Sequence, residues 1–222
     1  MSADPLVTVV TPTTGNTCVL RAIKSVADQS YKNVQHLIVI DKPDAPAEIK
    51  SAIRQCDVDV MELPYATGKD RFLGHRIIGA SAFLGRGISS VILTRTIGST
   101  GTMSLHCSKS SGKGPPGPIH CGKLSTGMAI SNDDCKSLGK WPSVLGPNDY
   151  LIDTNCYFLP RMAAVVSSPV WYRRFREPNT LDADRAIVHL LRAQNADYDS
   201  SRRYSVNYVS KTPLSLYAGI SS

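Results

Sequence analysis

The sequence predicts an α/β fold: a mostly parallel sheet with helices on both faces. Three observations carry this. Leu6 to Asp41 reads as strand, loop, helix and strand, which is one βαβ unit. Strand and helix patterns go on alternating as far as Leu93. The strand segments are continuous apolar, β-branched runs, as strands covered on both faces should be. Such units are right-handed and parallel, and their ligands sit beyond the carboxyl ends of the strands.

The first strand is Leu6 to Thr11, broken by Pro12 to Asn16. Thr17 is placed to cap a helix whose apolar positions Leu20, Ile23, Val26 and Ala27 share one face. Lys32-Asn33 turns the chain into a second buried strand, Leu37 to Ile40, which ends on Asp41. Polar groups therefore stand at both strand ends: Thr11, Thr13 and Thr14 on the first, Asp41 on the second. Asp44 to Cys56 reads as a helix, with Asp44 as N-cap, Pro46 in the first turn and Ile49, Ala52 and Ile53 on the apolar face. A third strand follows at Val58 to Leu63, a polar loop at Thr67 to Arg71, and a helix at Gly74 to Leu84 whose small residues suit close packing. Ile88 to Leu93 is a fourth strand.

From Thr94 to Ala129 the pattern dissolves into a Gly-, Ser-, Thr-, Lys- and Pro-rich stretch without a sustained period, which predicts irregular chain. Order returns after Ser131. Tyr150 to Leu159 reads as a strand, Trp171 to Glu177 as an amphipathic basic segment, and Arg203 to Val209 as a final strand. Leu181 to Asn195 reads as a helix with Ala183, Ala186, Ile187, Leu190 and Leu191 on one face.

A chain of 222 residues with 42% hydrophobic content predicts a single domain, 1–222, with a real core. No apolar run approaches the roughly 18 residues of a membrane helix, and the first residues lack a secretory signal. The expectation is a cytoplasmic protein without an integral membrane segment, peripheral membrane association staying open. The six cysteines form no CxxC pair and read as free or buried thiols. The net charge of +7 is local: residues 71 to 132 hold seven basic residues and no Asp or Glu, while 18 basic and 18 acidic residues balance elsewhere. A nucleic-acid binder could look like this. The window has almost no aromatic residue after Phe83, so a stacking platform is missing, and no nucleic-acid partner is expected.

Thr11-Pro12-Thr13-Thr14 after a first strand, then the stretch Arg21 to Val34 (RAIKSVADQSYKNV), and a strand ending Ile38-Val39-Ile40-Asp41 resemble the opening of the inverting family 2 glycosyltransferases of GT-A fold. The resemblance covers about residues 6 to 84 and 131 to 208. It implies a Rossmann-like fold whose nucleotide-binding half is 6–84 and whose acceptor-side half is 131–208. It implies a nucleotide-diphospho-sugar donor, with Mg²⁺ or Mn²⁺, and a hydroxyl acceptor: a glycan, a lipid or a small molecule. By the same resemblance Thr11, Pro12, Thr13 and Asp41 hold the nucleoside, and Lys69, Asp70 and Arg76 approach the base and diphosphate. Where the family's third helix opens with a pattern like A-R-N-x-G, this chain has His75-Arg76-Ile77-Ile78-Gly79, matching Arg and Gly alone. Solvated surface charge is the plain alternative for Lys69 and Arg76.

Such a transferase needs carboxylates, a D-x-D type motif, after its fourth strand. They hold the divalent cation that neutralises charge developing on the nucleoside diphosphate. This chain has Thr94-Arg95-Thr96 there, and those groups cannot replace carboxylates around a dication. A reading-frame shift accounts for this. If Leu93 to Gly98 is encoded CTG ACG AGG ACA ATT GGA, starting each codon one nucleotide earlier gives x-D-E-D-N-W. Extended over Ile88 to Met103, suitable codons give D-I-F-C-Y-P-D-E-D-N-W-I-D-R-D-H. The expectation is that about 87–130 is out of frame, which also explains the missing acids and the lost periodicity.

An inverting transferase also needs a general base for the acceptor hydroxyl. By resemblance that base is Asp184 or Asp182, in Leu181-Asp182-Ala183-Asp184-Arg185; Asp153 is the further candidate. Acids in a first helical turn are also favoured by the helix dipole alone. Ser110 to Gly114 lacks the spacing of a phosphate loop, and His106-Cys107 with His120-Cys121 matches no common zinc pattern. Asp133-Asp134 comes too late in the chain to replace the carboxylates after the fourth strand. The leading expectation is a glycosyltransferase impaired at its metal site. The alternatives are a non-catalytic relative or, further off, a nucleic-acid binder.

Overall fold

The computed structural model describes residues 4–69, 72–92, 119–126, 157–173, 183–194 and 198–208. In chain order the elements are β1 (Val7–Thr13), α1 (Cys18–Ala27), β2 (Val34–Ile40), α2 (Ala47–Arg54), β3 (Asp59–Glu62), α3 (His75–Leu84) and β4 (Ser89–Ile92). Then come β5 (Ile119–Thr126), β6 (Tyr157–Pro160), α4 (Arg161–Trp171), α5 (Ala183–Ala193) and β7 (Tyr198–Tyr208). The seven strands form one sheet of order β3-β2-β1-β4-β6-β5-β7. Strands β1 to β4 pair in parallel, β6 runs antiparallel to both β4 and β5, and β5 pairs in parallel with β7. The expected α/β class with a mostly parallel sheet is thus the observed one.

The chain moves outward from β1 to β2 and β3, then returns to lay β4 on the other side of β1. In sheets of this kind ligands bind in the crevice beyond the carboxyl ends of the strands at such a reversal, here β1 and β4. Both faces of the sheet are covered. Ile38 and Ile40 of β2 pack with Val19 and Ile23 of α1 and with Ile49 and Ile53 of α2. Leu37 and Val39 of the same strand face the other way, with Val10 and Ile77 of α3. Beyond α3 a third cluster joins Ile78 and Ala82 to Tyr157, Leu159, Ala164, Val170, Trp171, Ala183, Ile187 and Leu191.

Several local expectations are corrected. Pro12 does not end the first strand, which runs to Thr13. The proline stands opposite Val39 of β2 and beyond the last β4 pair, Val10 with Ile92, so its missing N–H breaks no β1–β4 rung. Thr17 makes no side-chain cap. Instead Asn16 accepts the Cys18 N–H at 2.8 Å, the same job done one residue earlier. The buried face of α1 is Val19, Ala22, Ile23 and Val26, and Ala27 is exposed. Helix α2 starts at Ala47 after Pro46 without a side-chain cap, so Asp44 is not its N-cap. The stretch expected to be irregular contains β5, and the chain just before Trp171 is helix α4. Residues 150–156 and 174–182 lie outside the described residues.

The expected close packing at α3 centres on Gly79. A Cβ there would stand 2.9 Å from Trp171 Cβ and 3.1 Å from the Ser168 carbonyl oxygen of α4. The Ser168 hydroxyl donates to the Gly79 carbonyl at 2.6 Å, locking the two helices at this crossing. Overfilling such a contact typically costs about 1–3 kcal/mol. Gly79→Val is therefore expected to lower unfolding free energy by roughly 2–3 kcal/mol in urea titrations. An unchanged urea midpoint would show that α3 and α4 can separate freely.

Candidate functional site

The site is built where three chain segments meet at the carboxyl end of the sheet. Asp41 follows the last residue of β2, and its amide donates to the Thr13 carbonyl at 2.7 Å, carrying the β1–β2 ladder one step past the strand. The Asp41 side chain is 4% exposed. A carboxylate that deep must be hydrogen-bonded, and here the loop after β3 supplies the donors. The Thr67 N–H donates to one carboxylate oxygen at 2.5 Å and the Gly68 N–H to the other at 2.9 Å. Glycine is required at the second position: a Cβ on Gly68 would lie 2.3 Å from the Leu73 carbonyl oxygen and 3.1 Å from Asp41 Oδ2.

The loop is held from its far side by Arg76. Its guanidinium donates to the Thr67 carbonyl at 3.0 Å and lies 3.7 Å above the centre of the Phe72 ring, a cation–π contact. Leu73 closes the loop on Gly68, its N–H donating to that carbonyl at 3.2 Å, in a left-handed conformation with φ 49°. A leucine held so stores on the order of 1 kcal/mol of backbone strain. The start of α3 rests on the first loop, since a Cβ on Gly74 would meet Pro12 Cγ at 3.1 Å. One polar atom in this assembly is left over. The Thr67 hydroxyl is buried and has no hydrogen-bond partner among the described residues, a condition that costs about 1–3 kcal/mol where no other group meets it.

Pro12, Thr13, Asp41 and Arg76 are thus brought together, with Asp41 at the crevice beside the first loop. Thr11 is different. It is 1% exposed, and its hydroxyl lies 2.9 Å from Nε2 of His36. Thr11 and His36 share the sheet face that carries Ile38 and Ile40, opposite to the loop that binds Asp41. Thr13 is buried too, and its hydroxyl accepts the Gly15 N–H at 3.1 Å, shaping the turn. What these two threonines offer a ligand is backbone and shape. Lys69 is exposed, and Asp70 lies outside the described residues. Asp184 lies in the first turn of α5, its side chain outside the described residues, as are Asp182 and Asp153.

Thr67, Gly68, Phe72 and His36 were not singled out by sequence. A Thr-Gly pair just after the strand next to the Asp-bearing strand was the available signal for the first two. Among the described residues no group of three His, Cys, Asp or Glu side chains could hold a metal ion. Thr94-Arg95-Thr96 follow β4 by two residues and lie outside the described residues. Their side-chain chemistry does not fit a divalent cation. Among the described residues of the basic window, Arg76 is engaged as above, and Arg86 pairs with Asp59 at 2.9 Å.

No family model matches the sequence, and no curated protein matches it. Solved structures do resemble the fold. Staphylococcus aureus TarS superposes with a TM-score of 0.62 at 13% identity, covering 96% of this chain and 38% of TarS. A form of TarS, residues 1–349 in complex with UDP-GlcNAc, gives 0.61 at 12% identity, covering 93% of this chain and 59% of that one. The mannosyltransferase PcManGT from Pyrobaculum calidifontis, in complex with GDP-Man and Mn²⁺, gives 0.57 at 13% identity, covering 96% and 58%. The chain spans between 38% and 62% of the length of TarS and its 1–349 form. The fold is therefore α/β of GT-A type. No described helix is long and apolar enough to cross a membrane.

His36 gives the site's foundation a pH dependence. Burial lowers its pKa from 6.5 to about 4, so it stays neutral beside Thr11 in the folded protein. The unfolded chain takes the proton first as pH falls. The stability this neutral histidine allows is complete above pH 6.5 and is lost as pH falls to about 4, a change on the order of 3 kcal/mol. His36→Gln, which cannot titrate, is expected to lose this component. The difference in urea midpoint between the two proteins should shift in the variant's favour between pH 6.5 and 4.5; a constant difference would contradict it.

Proposed function

We propose that this chain is a glycosyltransferase domain of the inverting family 2 kind, built to move a sugar from a nucleotide-diphosphate donor to a hydroxyl acceptor. The observation that carries the reading is Asp41: a buried carboxylate at the crevice, oriented by two loop amides. The fold it shares with TarS and PcManGT supports the reading, those proteins being described with UDP-GlcNAc and with GDP-Man and Mn²⁺. Asp41 and the first loop would receive the nucleoside, Arg76 would be drawn toward the donor, and Asp184 or Asp182 would take the proton of the acceptor hydroxyl. The cation's role, neutralising the departing diphosphate, has no fitting ligands at Thr94-Arg95-Thr96. No transfer step is routed through a metal in the chain as it stands.

That mismatch favours a second reading of this exact sequence: a nucleotide-binding, non-catalytic form, produced where residues 87–130 are read out of frame. Sequencing the gene across codons 85 to 131 tests it directly. The alternative frame should encode a D-E-D cluster opposite Thr94 to Thr96. Stop codons in that frame, or no acidic cluster, remove the account.

Turnover separates the two readings. The chain as given should show no Mn²⁺-stimulated transfer from UDP- or GDP-sugars, while a version carrying the whole alternative-frame segment should gain it. In that active version Asp184→Asn should cut turnover by about 10²- to 10⁴-fold, the usual worth of general-base catalysis, with donor affinity nearly unchanged. Robust Mn²⁺-dependent turnover by the chain as given would sink the impaired-site reading. A few-fold effect of Asp184→Asn and Asp182→Asn alike would reduce both to first-turn helix residues.

A further inference from the structure

Among the described residues seven large hydrophobic side chains stand exposed, and five of them belong to α3, α4 and the residues just after those helices. Phe83 is 62% exposed, Met162 61% and Ile88 60%, with Val166 and Tyr172 at 46% each. The fold brings them to one face. Helices α3 and α4 cross at Gly79, where a Cβ would also meet Tyr172 Cε2 at 2.8 Å. Phe83 lies about one helical turn beyond Gly79. The Ile88 carbonyl accepts the Arg161 amide at 2.8 Å, which sets Ile88 beside the first turn of α4. On α4 the usual arrangement is inverted. Ser167 and Ser168 are buried, while Met162, Val166 and Pro169 follow at helical spacing on the exposed side. A contiguous apolar face of this kind marks an interaction surface.

Charge selects the partner. Arg161 and Arg173 stand exposed at the two ends of α4, and exposed Arg86 comes shortly before Ile88, its guanidinium paired with Asp59 of β3. Helices α3 and α4 and strand β4 contain no Asp or Glu. A second copy of the chain would have to set this face against itself, arginine against arginine. An anionic lipid surface meets both needs, with headgroups for the guanidinium groups and the acyl boundary for the hydrophobic side chains. Arginine stems are long enough to keep their charge among the headgroups while Met162 and Val166 enter deeper. We propose that the outer face of α3 and α4 binds the surface of an anionic bilayer. The face uses none of the candidate-site side chains, and the inference stands without the transferase reading.

Cosedimentation of the intact chain with vesicles tests it. Vesicles of phosphatidylglycerol and phosphatidylcholine in equal parts should carry the protein down, and vesicles of phosphatidylcholine alone should not. Added salt should weaken the binding, since part of the attraction is screened charge. Met162→Glu combined with Val166→Glu removes apolar contact and adds repulsion, and should lower the partition coefficient by at least about tenfold. Both positions are exposed, so this variant should melt with wild type. If it folds poorly, Phe83→Gln combined with Ile88→Gln makes the same test outside α4. Arg21→Glu, an exposed change on α1 across the sheet, should alter binding by less than about twofold. Wild type that binds neither vesicle overturns the inference. So does binding that the α4 double variant leaves unchanged, or that Arg21→Glu weakens equally, because the attraction is then general positive charge. A dimer in analytical ultracentrifugation that the α4 double variant abolishes would give the face to a second copy and overturn it too.

Discussion

The carboxylate of Asp41, caught between the amides of Thr67 and Gly68, is the contact on which the rest of the crevice depends. It joins the end of β2 to the loop after β3. Through the Asp41 amide and the Thr13 carbonyl it also joins β2 to the end of β1. Arg76 fixes the outer side of the same loop and belongs to α3, whose first turn rests on Pro12. Four segments distant in sequence are thus tied to one side chain. Removing the carboxylate would leave two loop N–H groups unpaired, so the aspartate is as much a structural post as a binding group.

Strand parity explains why the polar residues of the first loop are not equivalent. With Val9 opposite His36 and Thr11 opposite Ile38, Thr11 and Thr13 fall on the α1–α2 face, and Val10 and Pro12 on the α3 face. Asp41, two residues past Val39, continues the α3 side, where the Thr67 loop waits. A shift of one residue in this register would exchange the two sets, turning Asp41 to the α1–α2 face and Ile38 and Ile40 to the side of the Thr67 loop. The Thr11–His36 pair is satisfied internally, and it buttresses the loop from behind.

The first strands and helices, and the face of α5, were legible because their signals are local. Apolar runs gave β1 and β2, helical spacing gave Ile49 and Ile53 of α2, and the predicted face of α5 is the observed one, with Ala183, Ile187 and Leu191 buried. Elements whose signals are weak or borrowed from tertiary contact were not. Helix α4, Arg161 to Trp171, is rich in Ala, Val and Ser and carries Pro169, so it shows neither a clear polar face nor an uninterrupted period. Strand β5 contains Gly122 and Lys123, and its register with β7 shifts on both sides of Lys123, which destroys strict alternation. Asp41 could be singled out because it ends a strand. The Thr67 loop could not, because its part comes from backbone N–H groups that every loop possesses and only the fold aims.

Nucleoside recognition and phosphate chemistry are separable in this architecture. The first needs preformed hydrogen-bonding groups, which the reading proposed above assigns to residues 11 to 76, where the sequence pattern is intact. The second needs positive charge with an open coordination site where the diphosphate departs, next to the end of β4. Val10 pairs with Ile92, so that position adjoins the first loop directly. Arg95, three residues after Ile92 in sequence, carries a single positive charge. A guanidinium offers no vacant ligand position, and its sequence neighbours Thr94 and Thr96 supply no carboxylate to hold a dication. A chain altered only beyond Ile92 would keep the first capacity and lose the second. On the reading proposed above, nucleotide affinity without turnover is the behaviour expected of this sequence.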